Sequence, residues 1–292
     1  MARKSMNTGF WPDGIRLVIS ISMQFEAGGE PASGAPSPLD GFQLKLGFAD
    51  YPTTTWYQYG VREGIPRLLD LFTSLKVNTT SHMVGSAVEK APAIAREIVE
   101  RGHEAAAHGQ TWTPQYDLDE AAERKFIADN VEVIKRVTGV APLGYNCPAM
   151  RGTKRTLALL QEQGFSYHID DVSTDEPFII PVRGRDFVIV PYTINLNDIV
   201  QFERYNFDTT GFEKQLYDEF EQLYEEAGRC RRQMSISLHD RIAGRPARVR
   251  ALRRFIEYAQ KKKGVVFMRK DEIAEIALTS PLTPRFESLY NT

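Results

Sequence analysis

The stretch Gly102-His103-Glu104-Ala105-Ala106-Ala107-His108-Gly109-Gln110-Thr111-Trp112 decides the fold of this chain. Small apolar residues fill its centre, which predicts a short buried strand, and a glycine then opens a loop. His108 stands where the strand passes into the loop. A histidine in that position is either hydrogen-bonded within a core or presented to a functional site, so its role depends on the other strands.

Two further apolar segments end in the same way. Residues 17–25, of sequence LVISISMQF, lead to Glu26, and Ser235-Ile236-Ser237-Leu238 leads to His239 and a loop bounded by Gly and Pro. In parallel α/β folds, side chains at the carboxyl ends of the strands meet on one face, which is where reactions occur. We therefore predict that Glu26, His108 and His239 form one catalytic group.

Strand-like and helical segments alternate along the rest of the chain. Residues 119–138 are the clearest helix, because Ile127, Val131 and Ile134 recur at helical spacing and Gly139 follows as a stop signal. Alternation at this spacing predicts parallel strands joined by helical crossovers. We predict an α/β fold, a distorted (β/α) barrel, as a single domain over residues 1–292 with an irregular N-terminal arm and C-terminal tail.

From about Leu17 to Ile276 the chain resembles the polysaccharide deacetylase family, carbohydrate esterase family four. The resemblance implies the distorted (β/α) barrel of the polysaccharide deacetylase type, and relatives that are often tetrameric imply a homo-oligomer, a tetramer or a dimer. The segments that carry it are Met23-Gln24-Phe25-Glu26, Thr79-Thr80-Ser81-His82-Met83-Val84-Gly85, Gly102-His103-Glu104 with His108-Gly109, Ala141-Pro142-Leu143-Gly144-Tyr145, and Ser237-Leu238-His239-Asp240.

The chain departs from ordinary deacetylases of this family at two places. Those enzymes have two adjacent aspartates, where this sequence has Gln24, Phe25 and Glu26, and a His-x-x-x-His loop, in which Trp112 here replaces the second histidine. This pattern is more similar to the allantoinase and cyclic-imide-hydrolase branches. The resemblance implies hydrolysis of a non-peptide C–N bond, with ring opening of a small cyclic imide or ureide as the first hypothesis. An N-deacetylase of an N-acetylated sugar or peptidoglycan fragment, and a non-catalytic binding member, are the alternatives.

The resemblance also implies roles for the predicted group. His239 matches the histidine that protonates the leaving group, and Glu26 either activates water or binds a metal. One divalent metal, zinc first, would need three protein ligands. Glu26 and His108 supply two, and His82 becomes the third if its side chain points inward. A metal-free site, in which Glu26 activates water directly, remains open.

Substrate-binding residues are predicted around this group. Trp112 offers a flat apolar wall, and the remaining five lie in segments where family members place substrate-contacting groups. These predicted residues are Trp112, Tyr145, Arg151, Asn195, Asn197 and Asp198.

Composition limits the classes of partner. The chain has 292 residues, 42% hydrophobic and 25% charged, which is enough for one well-buried core. A net charge of −2 predicts no nucleic-acid or membrane partner. The two cysteines, Cys147 and Cys230, predict no disulfide framework, and no apolar run approaches membrane-spanning length. We predict a cytoplasmic enzyme with a small-molecule substrate.

Overall fold

Within the part of the chain that the structure describes, nine strands join in one curled sheet that forms a half-barrel. The computed structural model describes residues 11–12, 14–31, 35–38 and 48–287, so most of the predicted N-terminal arm and the last residues of the tail lie outside the described residues. The strands are β1 (Leu17–Phe25), β2 (Thr80–Met83), β3 (Glu104–Ala107), β4 (Gly144–Tyr145), β5 (Tyr167–His168), β6 (Phe178–Val182), β7 (Arg185–Ile189), β8 (Gln233–His239) and β9 (Val265–Phe267).

Helices connect the successive strands except between β5, β6 and β7, and most of them pack on the outer face of the sheet. The last helix, Lys270–Thr279, packs instead with the inward residues Val18 and Tyr167. Short π-helical segments occur at Gly60–Gly64 and Val200–Arg204, and a 3₁₀ turn at Pro148–Met150. The α-helices are α1 (Tyr51–Tyr59), α2 (Ile65–Leu75), α3 (Gly85–Lys90), α4 (Pro92–Glu100), α5 (Glu120–Thr138), α6 (Thr156–Glu162), α7 (Thr209–Glu226), α8 (Asp240–Ala243), α9 (Pro246–Ala259) and α10 (Lys270–Thr279).

The strand order confirms the predicted distorted (β/α) barrel. It runs β6-β7-β5-β4-β3-β2-β1-β8, and β9 pairs with the first residues of β1. The pairings are parallel except that between β6 and β7. The predicted helix over residues 119–138 is also confirmed, since the Asp119 side chain accepts a hydrogen bond from the Ala122 N–H and Gly139 ends the helix in the left-handed conformation.

The two faces of the central strand β1 explain how the sheet builds a site. Alternate side chains point to opposite faces of a strand. The outward set is apolar and packs in the core under the helices: Leu17, Ile19, Ile21, Met23 and Phe25. The inward set becomes polar toward the carboxyl end: Val18, Ser20, Ser22 and Gln24. Glu26 continues the inward set, so the alternation of β1 delivers its carboxylate to the barrel interior.

Buried charges fill the end of the barrel interior away from that carboxylate. The Lys270 ammonium donates to Ser20 Oγ over 2.5 Å and to Ser235 Oγ over 3.2 Å. The Glu104 carboxylate accepts from Thr80 over 2.6 Å and from Tyr167 over 2.7 Å. Burial raises the pKa of Glu104 to about 7 and lowers that of Lys270 to about 7. This network pairs buried charged and hydroxyl groups beneath the site without reaching it.

The edge of the sheet differs from the sequence prediction. No strand is predicted from the sequence at β6, since Pro181 within it is typical of non-strand or edge positions. It is an edge strand, and Pro181 is exposed there. The predicted irregular tail lies against it: Arg285 forms a bridge with Ile179, and Phe286 packs on Phe178 with ring centroids 5.0 Å apart.

Position 144 in β4 requires glycine because the side chain of a neighbouring strand approaches its Cα closely. A methyl group at this position would overlap the buried ring of Tyr167 on the neighbouring strand. We expect Gly144→Ala to lower the free energy of unfolding by about 1–3 kcal/mol, the usual cost of overpacking. Urea unfolding measures this difference. Gly211→Ala, in the first turn of α7 where the nearest atom is 3.4 Å from the added carbon, is the control and should change stability by less than about 1 kcal/mol.

Candidate active site

Glu26 lies at a cavity of about 590 Å³ at the carboxyl ends of the strands. His108 follows β3 and His239 ends β8, and both line the same cavity as Glu26. The structure thus brings the three predicted catalytic residues together, although Glu26 is only 1% exposed.

Both oxygens of the Glu26 carboxylate have cationic or imidazole partners. Oε1 lies 3.3 Å from His108 Nε2 and 3.4 Å from His239 Nε2. Oε2 accepts a hydrogen bond of 2.7 Å from the Arg241 guanidinium. Burial alone would raise the pKa of Glu26, but His239, Arg241 and the hydrogen bonds from the two histidines hold it well below its usual value. Glu26 is therefore a carboxylate fixed in position.

His239 is held between two carboxylates. Its Nδ1 lies 2.6 Å from Asp198 Oδ1, and Asp198 Oδ2 accepts from the backbone N–H groups of His239 and Ala243. Burial alone would lower the pKa of His239, but Glu26 and Asp198 raise it to about 10. His239 is therefore an imidazolium at neutral pH, with Nε2–H directed at Glu26.

His108 is fixed by a backbone carbonyl. Its Nδ1 lies 2.8 Å from the Asn146 carbonyl oxygen, which can only accept, so Nδ1 carries a proton. The Asn130 side chain accepts from the His108 backbone N–H over 3.0 Å. Nε2 is thereby aimed at the cavity and at Glu26, and a proton must lie between Nε2 and Oε1 for that contact to be a hydrogen bond.

Arg241 is a site residue that the sequence analysis missed. Its guanidinium is fully buried between rings, 4.8 Å from the Trp56 centroid and 4.4 Å from that of Tyr57. Such contacts stabilise a buried cation. Asp240 lies 3.4 Å from the same guanidinium and accepts from the backbone N–H of Glu26. The segment Ser237-Leu238-His239-Asp240 ends one residue before Arg241, and nothing in the sequence indicates that the Arg241 side chain reaches Glu26.

The structure divides the six predicted substrate-binding residues. Trp112, Arg151 and Asn197 line the cavity. Asp198 is completely buried behind His239 and contacts the histidine instead of the cavity. This places Asp198 in a positioning role.

Two of the six are not among the described residues that line the cavity. Tyr145 points to the outer face of the sheet, where its hydroxyl donates to Gln115 Oε1 over 2.8 Å. The next residue, Asn146, lines the cavity in its place because successive side chains alternate. Asn195 is exposed, and its carbonyl accepts from the Gln201 side chain.

The structure does not bring the predicted metal ligands Glu26, His82 and His108 together. His82 points inward, but it pairs in register with Gln24 and Ala106, two residues before Glu26 and His108 on their strands. It therefore lies about 6.6 Å deeper along the barrel. Its Nε2 lies 3.4 Å from Ser22 Oγ.

The charges around Glu26 also disfavour a metal there. A divalent cation at the carboxylate would stand beside the Arg241 guanidinium and the His239 imidazolium, which already neutralise it. Among the described residues, a single group of three His, Cys, Asp or Glu ligand atoms lies within 4.8 Å of one another, and it consists of Cys147, His168 and Asp170. The residues at Glu26 do not fit a metal.

Comparisons with known proteins identify relatives of this chain. A family model described as polysaccharide deacetylase matches residues 46–168. The peptidoglycan deacetylase of Helicobacter pylori is 28% identical over 244 residues, covering 73% of this chain and 83% of the relative.

Solved structures match nearly the whole chain, and two of them are at least 32% identical to it. A Pseudomonas aeruginosa protein described as a "probable polysaccharide deacetylase" superposes with a TM-score of 0.87 at 32% identity, covering 94% of this chain and 95% of that chain. The PuuE allantoinase superposes with a TM-score of 0.86 at 32% identity, covering 94% of both chains. Within the described residues, no helix has the length and apolarity needed to cross a membrane.

Proposed function

This chain belongs to the polysaccharide deacetylase family, and on that premise we propose that it opens the ring of a small cyclic imide or ureide by hydrolysing a ring C–N bond. The chain is a hydrolase of carbon–nitrogen bonds other than peptide bonds. The observation that carries the proposal is the buried Glu26 carboxylate, held by a guanidinium and facing two histidines at the cavity.

Glu26 removes the proton from the attacking water. Arg241 fixes Oε2, so Oε1 is the oxygen that receives the proton. His108 Nε2 stands 3.3 Å from Oε1, and the contact of its Nδ1 with the Asn146 carbonyl keeps the ring in that position. The water oxygen bonds to the ring carbonyl carbon, and a tetrahedral intermediate forms. Positioned acids and bases contribute about 10²–10⁴-fold each to such steps.

His239 supplies a proton to the departing nitrogen. As an imidazolium it carries the proton before the C–N bond breaks, and Asp198 holds it in place. When the bond breaks, Nε2–H protonates the ring nitrogen. The proton on Glu26 Oε1 then passes to His239 Nε2 over the 3.4 Å that separates them, which restores the starting state. None of these proton transfers requires a metal at Glu26.

The shape of the cavity favours a small ring. Trp56 and Trp112 form apolar walls, and Trp112 occupies the place where ordinary family members have their second metal-binding histidine. A volume of about 590 Å³ holds a small heterocycle with water. Arg151 and Asn197 provide polar contacts at the lining for ring carbonyl and N–H groups. The likeness to the PuuE allantoinase at 32% identity supports the same substrate class.

N-deacetylation of an N-acetylated sugar is the second candidate. Two relatives described above are named as deacetylases, one of peptidoglycan and one of polysaccharide. The same proton transfers at Glu26 and His239 would serve either amide. We rank ring opening first because the residues around Glu26 do not form a metal ligand set.

A substrate panel tests the proposal. We expect ring opening of at least one of succinimide, hydantoin, dihydrouracil and allantoin, measured as the loss of the cyclic compound. We expect no acetate release from an N-acetylglucosamine oligomer. Acetate release while every cyclic compound stays intact would contradict ring opening and would assign N-deacetylation instead. Inactivity on every compound, with a folded protein, would contradict both.

A further inference from the structure

A second group of side chains meets at the cavity wall. Cys147 follows β4 and Asp170 follows β5, each two residues beyond the strand, and His168 ends β5. The two strands are parallel neighbours, with Tyr145 in register with His168, so these three side chains meet at one edge of the sheet. None of them takes part in the proton transfers at Glu26.

We propose that Cys147, His168 and Asp170 bind a divalent metal ion of the zinc class. His168 Nε2 lies 3.7 Å from Cys147 Sγ and 3.0 Å from Asp170 Oδ2, and the three ligand atoms lie within 4.8 Å of one another. Ligand atoms in a tetrahedron at zinc distances of about 2.0–2.3 Å are separated by roughly 3.3–3.6 Å. The two distances to His168 Nε2 therefore match this spacing to within a few tenths of an ångström.

The direction of approach distinguishes a metal site from a nucleophilic triad. In a triad the nucleophile and the carboxylate contact opposite nitrogens of the histidine. Here the Cys147 sulfur and the Asp170 carboxylate approach the same nitrogen, Nε2 of His168. Nδ1 is buried and has no hydrogen-bond partner within the described part of the chain. Three atoms that converge on one point form a ligand set, not a proton relay.

The supporting contacts suit coordination. Thiolate and imidazole ligands select zinc and related transition metals, and a carboxylate is a common third ligand. The Asp170 carboxylate is oriented by the Asn146 side-chain amide over 2.5 Å and by the Cys147 backbone N–H over 3.1 Å. Such contacts hold ligands in place and strengthen metal binding. Cys147 and Asp170 both line the cavity, so the fourth position opens toward it.

Titration of the metal-depleted full chain with Co²⁺ tests the proposal. We expect one Co²⁺ per chain, with a thiolate-to-cobalt charge-transfer band in the near ultraviolet. Cys147→Ser should abolish that band, and His168→Asn should weaken Co²⁺ binding on the order of 100-fold or more, since even losing a supporting contact costs about 10–100-fold. Zn²⁺ should displace the bound Co²⁺.

Matched variants separate this site from the others. Cys230→Ser removes the other cysteine, whose Sγ donates to the Glu226 carbonyl, and should leave the band unchanged. Glu26→Gln and His82→Asn should leave Co²⁺ affinity unchanged, whatever they do to turnover. Because Cys147 is buried, circular dichroism must show that Cys147→Ser is folded, and Asp170→Asn gives an independent variant of similar shape. The proposal is overturned if Co²⁺ binds without the band, if folded Cys147→Ser and Asp170→Asn bind as the parent does, or if Glu26→Gln removes the metal.

Discussion

Glu26→Gln is expected to lower kcat by about 10³–10⁴-fold, because an amide cannot take a proton from water. The amide oxygen can still accept from Arg241, so the side chain keeps its place in the cavity floor. The loss of the charge leaves the buried guanidinium with Asp240 as its remaining carboxylate at 3.4 Å, so we also expect a lower free energy of unfolding. Activity is therefore measured well below the melting temperature, with the folded fraction followed by circular dichroism.

Two further variants are the controls for the Glu26→Gln measurement. Glu26→Asp keeps the carboxylate but withdraws it by one methylene, so we expect stability closer to the parent and partial activity. Glu30→Gln removes a carboxylate on the same loop, where Oε2 accepts from the Gly28 N–H and the residue is not among the described residues that line the cavity. It should leave kcat within about twofold of the parent. A folded Glu26→Gln enzyme with near-parental kcat would show that Glu26 is not the base.

The convergence of Glu26, His108 and His239 could be predicted from the sequence because it depends on local rules. Each follows an apolar segment, and the carboxyl ends of parallel strands share one edge of a sheet. The alternation of side chains along β1 then places Glu26 on the inward face. These steps need only the order of residues within one segment.

Other features depend on register and on contacts between distant segments. Whether His82 reaches Glu26 is decided by the alignment of β2 with β1, which pairs His82 with Gln24 and leaves it too deep. Tyr145 points outward because side chains alternate between the two faces of β4 and its position falls on the outer face. Sequence spacing fixes neither, since a shift of one residue moves every side chain of a strand to the other face. The contact of Arg241 with Glu26, 215 residues apart, lies beyond any local pattern.

The neighbouring strands β4 and β5 illustrate the same limit. Each consists of two residues, Gly144–Tyr145 and Tyr167–His168, which is too short to give a periodic signal. In the sequence, Cys147 therefore bears only on the prediction that there is no disulfide framework. Its approach to His168 and Asp170 appears only once the two strands are placed side by side.

Asp198→Asn is expected to move the alkaline limb of the pH profile to lower pH and to lower kcat/KM by about 10²–10⁴-fold. His239 acts as an acid, so activity is present while it is protonated and is lost as the pH rises through its pKa, about 10 in the parent. Asp198 raises that pKa by its charge and by its hydrogen bond to Nδ1. Asparagine removes the charge, so the pKa falls and the proton is lost at a lower pH. The profile of kcat/KM reports this group in the free enzyme.

Activity loss compared across substrates with different leaving groups distinguishes loss of the acid His239 from general damage to the site. A departing nitrogen that is a good leaving group needs little protonation, so His239→Ala and Asp198→Asn should lose least activity on the most acidic imides and most on poorly activated ureides. Asp218→Asn, an exposed acid-to-amide change on α7, is the control. It should alter neither the alkaline limb of the pH profile nor the dependence of activity on the leaving group. If the alkaline limb of Asp198→Asn stays where it is in the parent, His239 is not the group that titrates there. Equal losses on every substrate would instead place the contribution of Asp198 in the structure of the loop, through its bonds to the backbone of His239 and Ala243.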